Sequence, residues 1–245
     1  MFLILRNLFK IKIHLFFYVF MFISLITGNF WNYIIFTSII VVHEFGHIFC
    51  GLFFSWKIDR VIILPFGGLT IFNTLINTSL IEQFFVSLMG PLFQVLYFLI
   101  LSYFFKLNNT IVFFNYMVLF FNLLPIYPLD GSKILYVILC LFLPFKYSHI
   151  LFLIVSFICI FFLFFYFKFN LILYLILLFL IIKTISELIN HKCVFNRFLL
   201  ERYLYDLRFR HVKFIGGVDC MYLWCRHVFK KSVTEREFLL KMFDK

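Results

Sequence analysis

Apolar residues run along most of this chain, and the length of each run is its first structural signal. A helix rises about 1.5 Å per residue, so roughly 20 apolar residues cross a hydrocarbon layer about 30 Å thick. Runs of that order occur at 13–28, 31–54, 83–105, 109–130, 149–167 and 170–189, and they predict six transmembrane helices. The run from Ile134 to Leu143 is shorter and stops at Pro144, so it is expected to lie partly in the membrane or at its surface. One stretch departs from this pattern. In DRVIILPFGGLTIF (59–72), β-branched residues flank Pro65 and the Gly67–Gly68 pair, which predicts two short strands joined by a turn. A hairpin dipping into the membrane could offer an edge for strand addition.

The expected fold is therefore an all-α polytopic membrane protein. It has about six transmembrane helices, a small membrane-associated β-hairpin and a short cytoplasmic C-terminal tail. Residues 1–190 form the transmembrane domain in this reading, and 191–245 a basic cytoplasmic tail.

Composition agrees. The 245 residues are 64% hydrophobic and only 13% charged, where a soluble domain carries about 25% charged residues. Charge then sets direction. Arg6, Lys10 and Lys12 precede the first run, Lys57 and Arg60 follow the second, and Lys133 and Lys146 follow the fourth. Twelve more basic residues follow Ile189, against only Lys106 and Lys168 on the other side. An excess of Lys and Arg marks the cytoplasmic face, which puts both ends there. The net charge of +11 thus reads as topology, with contact to anionic lipid as a second use of the tail. No nucleic-acid module is recognisable, so direct nucleic-acid binding is not expected. The basic start resembles a signal peptide, but Ile26-Thr27-Gly28 offers no small-residue cleavage site, so an uncleaved first span is expected. The six cysteines read as free thiols, since Cys220, Cys225 and His227 lack a second pair at zinc-finger spacing.

Only two of the eleven acidic residues, Glu44 and Asp130, fall well inside apolar regions. A carboxylate at that depth costs a few kcal/mol, so such residues usually carry function. Glu44 sits in IIVVHEFGHIFCG (39–51). His43 and His47 are four apart, so a helix stacks both imidazoles on one face, within reach of one metal ion. Glu44 can reach a water on that metal, and Gly46 permits close approach of another backbone. The bland alternatives are a proton relay or a buried hydrogen-bonded pair. A two-histidine site needs a third protein ligand. Asp130, in FNLLPIYPLDGSK, is the other deep carboxylate, and the second and fourth spans run in the same direction. Pro125 and Pro128 break the helix before it, and Gly131 allows a turn just after. An interfacial turn with a solvated Asp130 is the alternative. Asn122, eight residues upstream, could bind substrate backbone or help hold an oxyanion, or could simply bond a neighbouring helix.

These residues resemble the site-2 protease family of intramembrane zinc metalloproteases. The resemblance rests on HEFGH and on the N-x-x-P-x-x-x-x-D-G pattern at Asn122, Pro125, Asp130 and Gly131. FFSWKIDRVIILPFGGL (53–69), Gly90-Pro91, NLLPIYPLDG (122–131) and NRFLLERY (196–203) narrow it to the branch that processes a sporulation pro-sigma factor. It implies His43, His47 and Asp130 as zinc ligands, Glu44 as catalytic acid/base and a role for Asn122 in the site. It also implies a membrane-associated pro-sigma factor as substrate, membrane-bound regulatory proteins as partners, and the mother-cell membrane around the forespore as location. That branch carries a C-terminal nucleotide-binding domain of the cystathionine-beta-synthase type, and 196–245 is short for one, so it would be a truncated remnant. KKSVTEREFLLKMF (230–243) would be its last helix, with Ser232 and Glu235 at capping-box spacing, or else a basic amphipathic tail on the membrane.

The leading functional expectation is an intramembrane zinc endopeptidase. The alternatives are a transporter or proton relay using the buried His/Glu/Asp cluster, and an inactive membrane scaffold that keeps the metal site. His14, His149, His191 and His211 read as interfacial or solvated, and Glu82 and Glu187 as span-edge charges.

Overall fold

The computed structural model describes residues 11–13, 15–64, 67–104, 108–166, 171–205, 207, 209, 211–229 and 233–243. Arg6, Lys10, His14, Pro65, Lys106, Lys168 and Ser232 lie outside them. The chain divides into two compact units. One comprises 1–74 and 85–123, the other 75–84 and 124–245.

In the first unit, β1 (Ile11–Ile13) precedes α1 (Leu15–Ile26) and the long α2 (Phe30–Phe53). The predicted first span starts at residue 13, but Ile13 belongs to β1, whose backbone pairs with β2 (Lys57–Leu64) in parallel. The helix left over has 12 residues. Gly28, at φ +73°, follows it in the left-handed conformation that ends helices. The predicted hairpin is present: β2 pairs antiparallel with β3 (Gly67–Asn73), giving a sheet of order β1-β2-β3 with β3 on an edge. The unit continues into α3 (Leu80–Phe104), which belongs to it from Phe85 onward, and α4 (Asn109–Leu123). The fourth apolar run predicts continuity to residue 130, yet the helix stops at Leu123. Pro125 has no N–H to donate and disfavours helical backbone in the residue before it. Ile39, Ile40 and Val118 form the buried contact of α2 with α4, with Tyr97 and Phe114 packed around them.

The second unit begins its helices at α5 (Asp130–Phe142), followed by α6 (Phe145–Tyr166) and α7 (Leu171–Leu204). α5 starts at Asp130 itself, where a carboxylate faces the positive end of the helix dipole. The short run at 134–143 is thus the body of this helix.

The residues after α7 are folded. β4 (Val212–Ile215), β5 (Arg226–Phe229) and β6 (Val233–Thr234) form a second sheet in that order, and α8 (Glu235–Phe243) closes the chain. Ile215, Met221, Leu223, Phe229 and Leu239 from this segment share one core with Leu80, Val137, Cys140, Phe145, Phe198 and Leu199. Phe145 stacks on Phe198 at 4.2 Å and Phe229 on Phe238 at 4.0 Å between ring centroids. The capping box of α8 is Thr234-x-x-Glu237: the Thr234 N–H donates to Glu237 Oε2 at 3.1 Å and the Glu237 N–H to Thr234 Oγ1 at 3.4 Å. The Ser/Thr-x-x-Glu signal of the sequence is right in kind but two residues early, because Thr234 is the last residue of β6 and Glu235 the first of α8.

Among the described residues, four helices are long and apolar enough to cross a membrane: Phe30–Phe53, Leu80–Phe104, Phe145–Tyr166 and Tyr174–Leu204. Phe17–Ile26 and Asn109–Leu123 are apolar but shorter. The six predicted runs therefore each contain an apolar helix, and two of them fall below spanning length.

Candidate active site

His43, Glu44 and His47 occupy consecutive turns of α2, and all three are buried. The two imidazoles are placed by different means. His47 Nδ1 lies 2.7 Å from the backbone carbonyl of Val86 on α3. A carbonyl can only accept, so this nitrogen carries the proton and Nε2 presents a lone pair. His43 Nδ1 lies 3.0 Å from Oε1 of Gln94, also on α3. The two Nε2 atoms then come within 3.2 Å of each other.

A cation-binding centre accounts for this juxtaposition. Zinc–nitrogen bonds of about 2.0–2.1 Å at a tetrahedral angle hold two nitrogens about 3.3 Å apart. The residues present fit that ion in donor type and in spacing. They also need room. A Cβ on Gly90 of α3 would run into His47 Nε2 and come within 2.9 Å of His43 Nε2, so only glycine lets that helix pass the imidazoles. Gly46 serves the same end on α2, where a Cβ would run into the Met89 carbonyl and lie 2.9 Å from Phe93 Cβ.

Glu44 faces the hairpin. Thr70 of β3 donates its hydroxyl to Glu44 Oε2 at 2.7 Å. A Cβ on Gly68, two residues earlier on the same face of the strand, would overlap the Glu44 side chain. The edge strand thus lies directly against the glutamate.

Asp130 is buried at the first turn of α5, where Lys133 donates to its Oδ1 at 2.9 Å. Among the described residues, His43 and His47 of the first unit and Asp130 of the second are the candidate metal-binding group. Asn122 is half-buried on the last turn of α4, with no side-chain hydrogen bond to the described residues.

Residues 31–109, which hold the histidine motif, α3 and the hairpin, match the family described as Peptidase family M50. The chain resembles the site-2 proteases. The likeness extends to the solved structure of a site-2 protease from Methanocaldococcus jannaschii, at a TM-score of 0.55 and 26% identity, covering 72% of this chain and 89% of that one. Stage IV sporulation protein FB of Bacillus subtilis is 36% identical over 148 residues, which is 57% of this chain and 51% of that protein. A zinc metalloprotease of Methanocaldococcus jannaschii is 31% identical over 110 residues, 41% of this chain and 32% of that protein. The match thus spans about half of one curated relative and a third of the other. Four of the chain's described helices are long and apolar enough to cross a membrane, and His43, His47 and Asp130 are its candidate metal ligands.

Sequence reasoning did not single out Gln94, Asn115 or Thr70. Gln94 and Asn115 are buried polar groups in apolar helices, the same signal that exposed Glu44 and Asp130, but they carry no charge and no motif spacing. His149, Glu187 and His191 differ from expectation. His149 is buried, with Nδ1 2.8 Å from His191 Nδ1 and Nε2 3.3 Å from Glu187 Oε1. Tyr127 donates its hydroxyl to Glu187 Oε2 at 3.0 Å, its N–H bonds Ser156 Oγ, and its carbonyl accepts from Thr184. The cluster fastens the Pro125–Pro128 turn ahead of Asp130 to α6 and α7. Cys225 Sγ lies 3.4 Å from His227 Nε2, but Cys220 is exposed, and neither belongs to a metal group among the described residues.

Proposed function

We propose that the protein is an intramembrane zinc endopeptidase of the site-2 protease type, cleaving a membrane-associated protein precursor. The observation that carries this reading is the pair of buried imidazole Nε2 atoms 3.2 Å apart, with Glu44 on the same helix. His43 and His47 would hold the zinc with nitrogen and Asp130 with oxygen, a donor set that suits this ion. Bound zinc supplies Lewis acidity, which brings the pKa of a coordinated water to about 7.

Glu44 is the general base and acid in this scheme. Its carboxylate takes the proton of the attacking water and returns it to the leaving amine. Thr70 holds one carboxylate oxygen, Oε2, so Oε1 is the atom proposed for proton transfer. The Asn122 amide, with no bond to the described residues, is proposed to donate to the substrate carbonyl as it becomes an oxyanion. A helical substrate hides its carbonyls in its own hydrogen bonds, so it must be extended before cleavage. β3, an edge strand lying against Glu44, is suited to pair with such a segment.

The likeness to a sporulation protein supports a pro-sigma factor as the substrate and membrane-bound regulatory proteins as partners. We assign both termini to the cytoplasm, on the bias of Lys and Arg, and the location to the mother-cell membrane around the forespore. Division at about residue 190 would separate a protease domain from a basic C-terminal segment, proposed to be related to a nucleotide-sensing unit and able to meet anionic lipid. The test is co-expression with a candidate pro-sigma factor. Wild type should release the shortened factor, and Glu44→Gln should not while still binding zinc. Normal cleavage by Glu44→Gln would exclude this mechanism.

A further inference from the structure

We propose that Gln94 is a positioning residue that selects the His43 tautomer and aims its Nε2 at the metal; this rests on the zinc reading above. The polarity of the network is forced from its far end. The Gln94 side-chain amide has one nitrogen, Nε2, and one oxygen, Oε1. Nε2 lies 2.8 Å from the backbone carbonyl of Asn115 and 3.1 Å from Asn115 Oδ1. The backbone carbonyl can only accept, so the atom facing it must be the donating NH2. The amide therefore turns Oε1 toward His43 Nδ1, 3.0 Å away. Oε1 also only accepts, so His43 Nδ1 carries its proton and Nε2 keeps its lone pair, the form a metal requires. Gln94 is 0% exposed and Asn115 2%, so no water competes for these bonds.

The relay thus runs from a fixed backbone atom on α4, through a side chain on α3, to a ligand on α2. Without it His43 Nδ1 would lose this acceptor, and any molecule protonated at Nε2 instead would present a donor to the cation. His47 needs no such relay, since its partner is the carbonyl of Val86.

The test is zinc affinity of the purified full-length chain in detergent, measured by competition with a chelator, with thermal stability followed in parallel. Gln94→Met keeps the length and removes both polar ends, and zinc affinity should fall about 10–100-fold. Gln94→Glu should restore most of it, because it keeps an accepting oxygen toward His43 Nδ1. Asn115→Leu removes one of two acceptors and leaves the backbone carbonyl, so it should cost only a few-fold in affinity. It also serves as a second probe should Gln94→Met fail to fold. A purely structural Gln94 would lower the melting temperature in both variants and leave zinc affinity per folded molecule at the wild-type value, which would overturn the proposal. If wild type binds zinc, His43→Ala/His47→Ala does not, and Gln94→Met matches wild type, the positioning role alone fails. If wild type and the double histidine variant bind zinc equally, the metal reading fails and this proposal with it.

Discussion

Two buried polar clusters in this molecule look alike in composition and opposite in valence. Around α2, His43 and His47 bring lone pair against lone pair at 3.2 Å. At the end of α7, Arg202 meets His227, Glu235, Asn77 and Glu201, all nearly excluded from solvent. Here each donor has an acceptor. Arg202 donates through Nε to Asn77 Oδ1, through one terminal nitrogen to Glu235 Oε1 and the Cys225 carbonyl, and through the other to the carbonyls of Tyr222 and Leu223. His227 gives its backbone N–H to Glu235 Oε2 at 2.8 Å, with Nδ1 3.1 Å from the same oxygen, and Nε2 accepts from the Tyr222 N–H. Asn77 closes the ring by donating to Glu201 and the Phe198 carbonyl. Burial of polar groups therefore does not by itself mark a reactive site. A cluster whose bonds all close holds the fold, and one that points like atoms at a common centre asks for an ion.

Four substitutions or conditions put that contrast at risk. The largest effect belongs to Glu44→Gln, which should lower cleavage by at least about a thousandfold while zinc stays bound, since a general base cannot be replaced by an amide. Zinc analysis beside a cleavage assay checks it. Next is Arg202→Met. It strands the Glu235 carboxylate among buried carbonyls and should cost about 3–5 kcal/mol in stability. Limited proteolysis of 205–243 and a melting curve read this out, and the loss of activity should track the folded fraction. A Gly68→Ala change should come third. Its Cβ would push Glu44 aside, so activity should fall on the order of a hundredfold with little change in zinc content. Thr234→Ala removes one half of the α8 capping box and should cost about 1 kcal/mol, seen as a small drop in melting temperature.

The closed cluster also predicts a pH response. Burial, only partly opposed by Glu235, holds the His227 imidazole below its ordinary range and keeps it neutral. Burial pushes the Glu235 carboxyl up, but its bonds from His227 and the charge of Arg202 outweigh that and hold it below the usual carboxylate value. Both groups bind protons more readily unfolded than folded. Stability of this segment is thus full above about pH 6.5 and falls as pH drops through that value, with slope up to about 1.4 kcal/mol per pH unit for one proton. Glu235 adds to the loss in more acid solution. Melting curves between pH 5 and 8 test the sign, and His227→Gln should flatten them.

Much of the architecture was legible because it follows from length and spacing. Apolar runs located the helices, β-branched residues around Gly67–Gly68 located the hairpin, and the four-residue interval of His43 and His47 located one face of α2. Helix ends were less legible. They depend on where backbone donors go, as when Ile13 pairs with Ile63 instead of starting α1. The C-terminal segment was hidden by its charge. Its buried residues Ile215, Met221, Leu223, Phe229 and Leu239 have neither strand nor helix period, so a basic surface masked a core. Gln94, Asn115 and Thr70 were invisible for a different reason. A lone neutral polar residue in an apolar helix has many uses, and only its partners reveal which applies.

The carbonyl of Val86 that orients His47 belongs to the main chain, so every residue type at position 86 except one that distorts α3 supplies the same acceptor. Heritable change at that partner cannot reset His47. The corresponding partner of His43 is encoded in a single codon. Of the two described bonds that orient the imidazoles, only the one at His43 can be altered by exchanging a side chain, so a laboratory search for altered metal affinity should begin at Gln94.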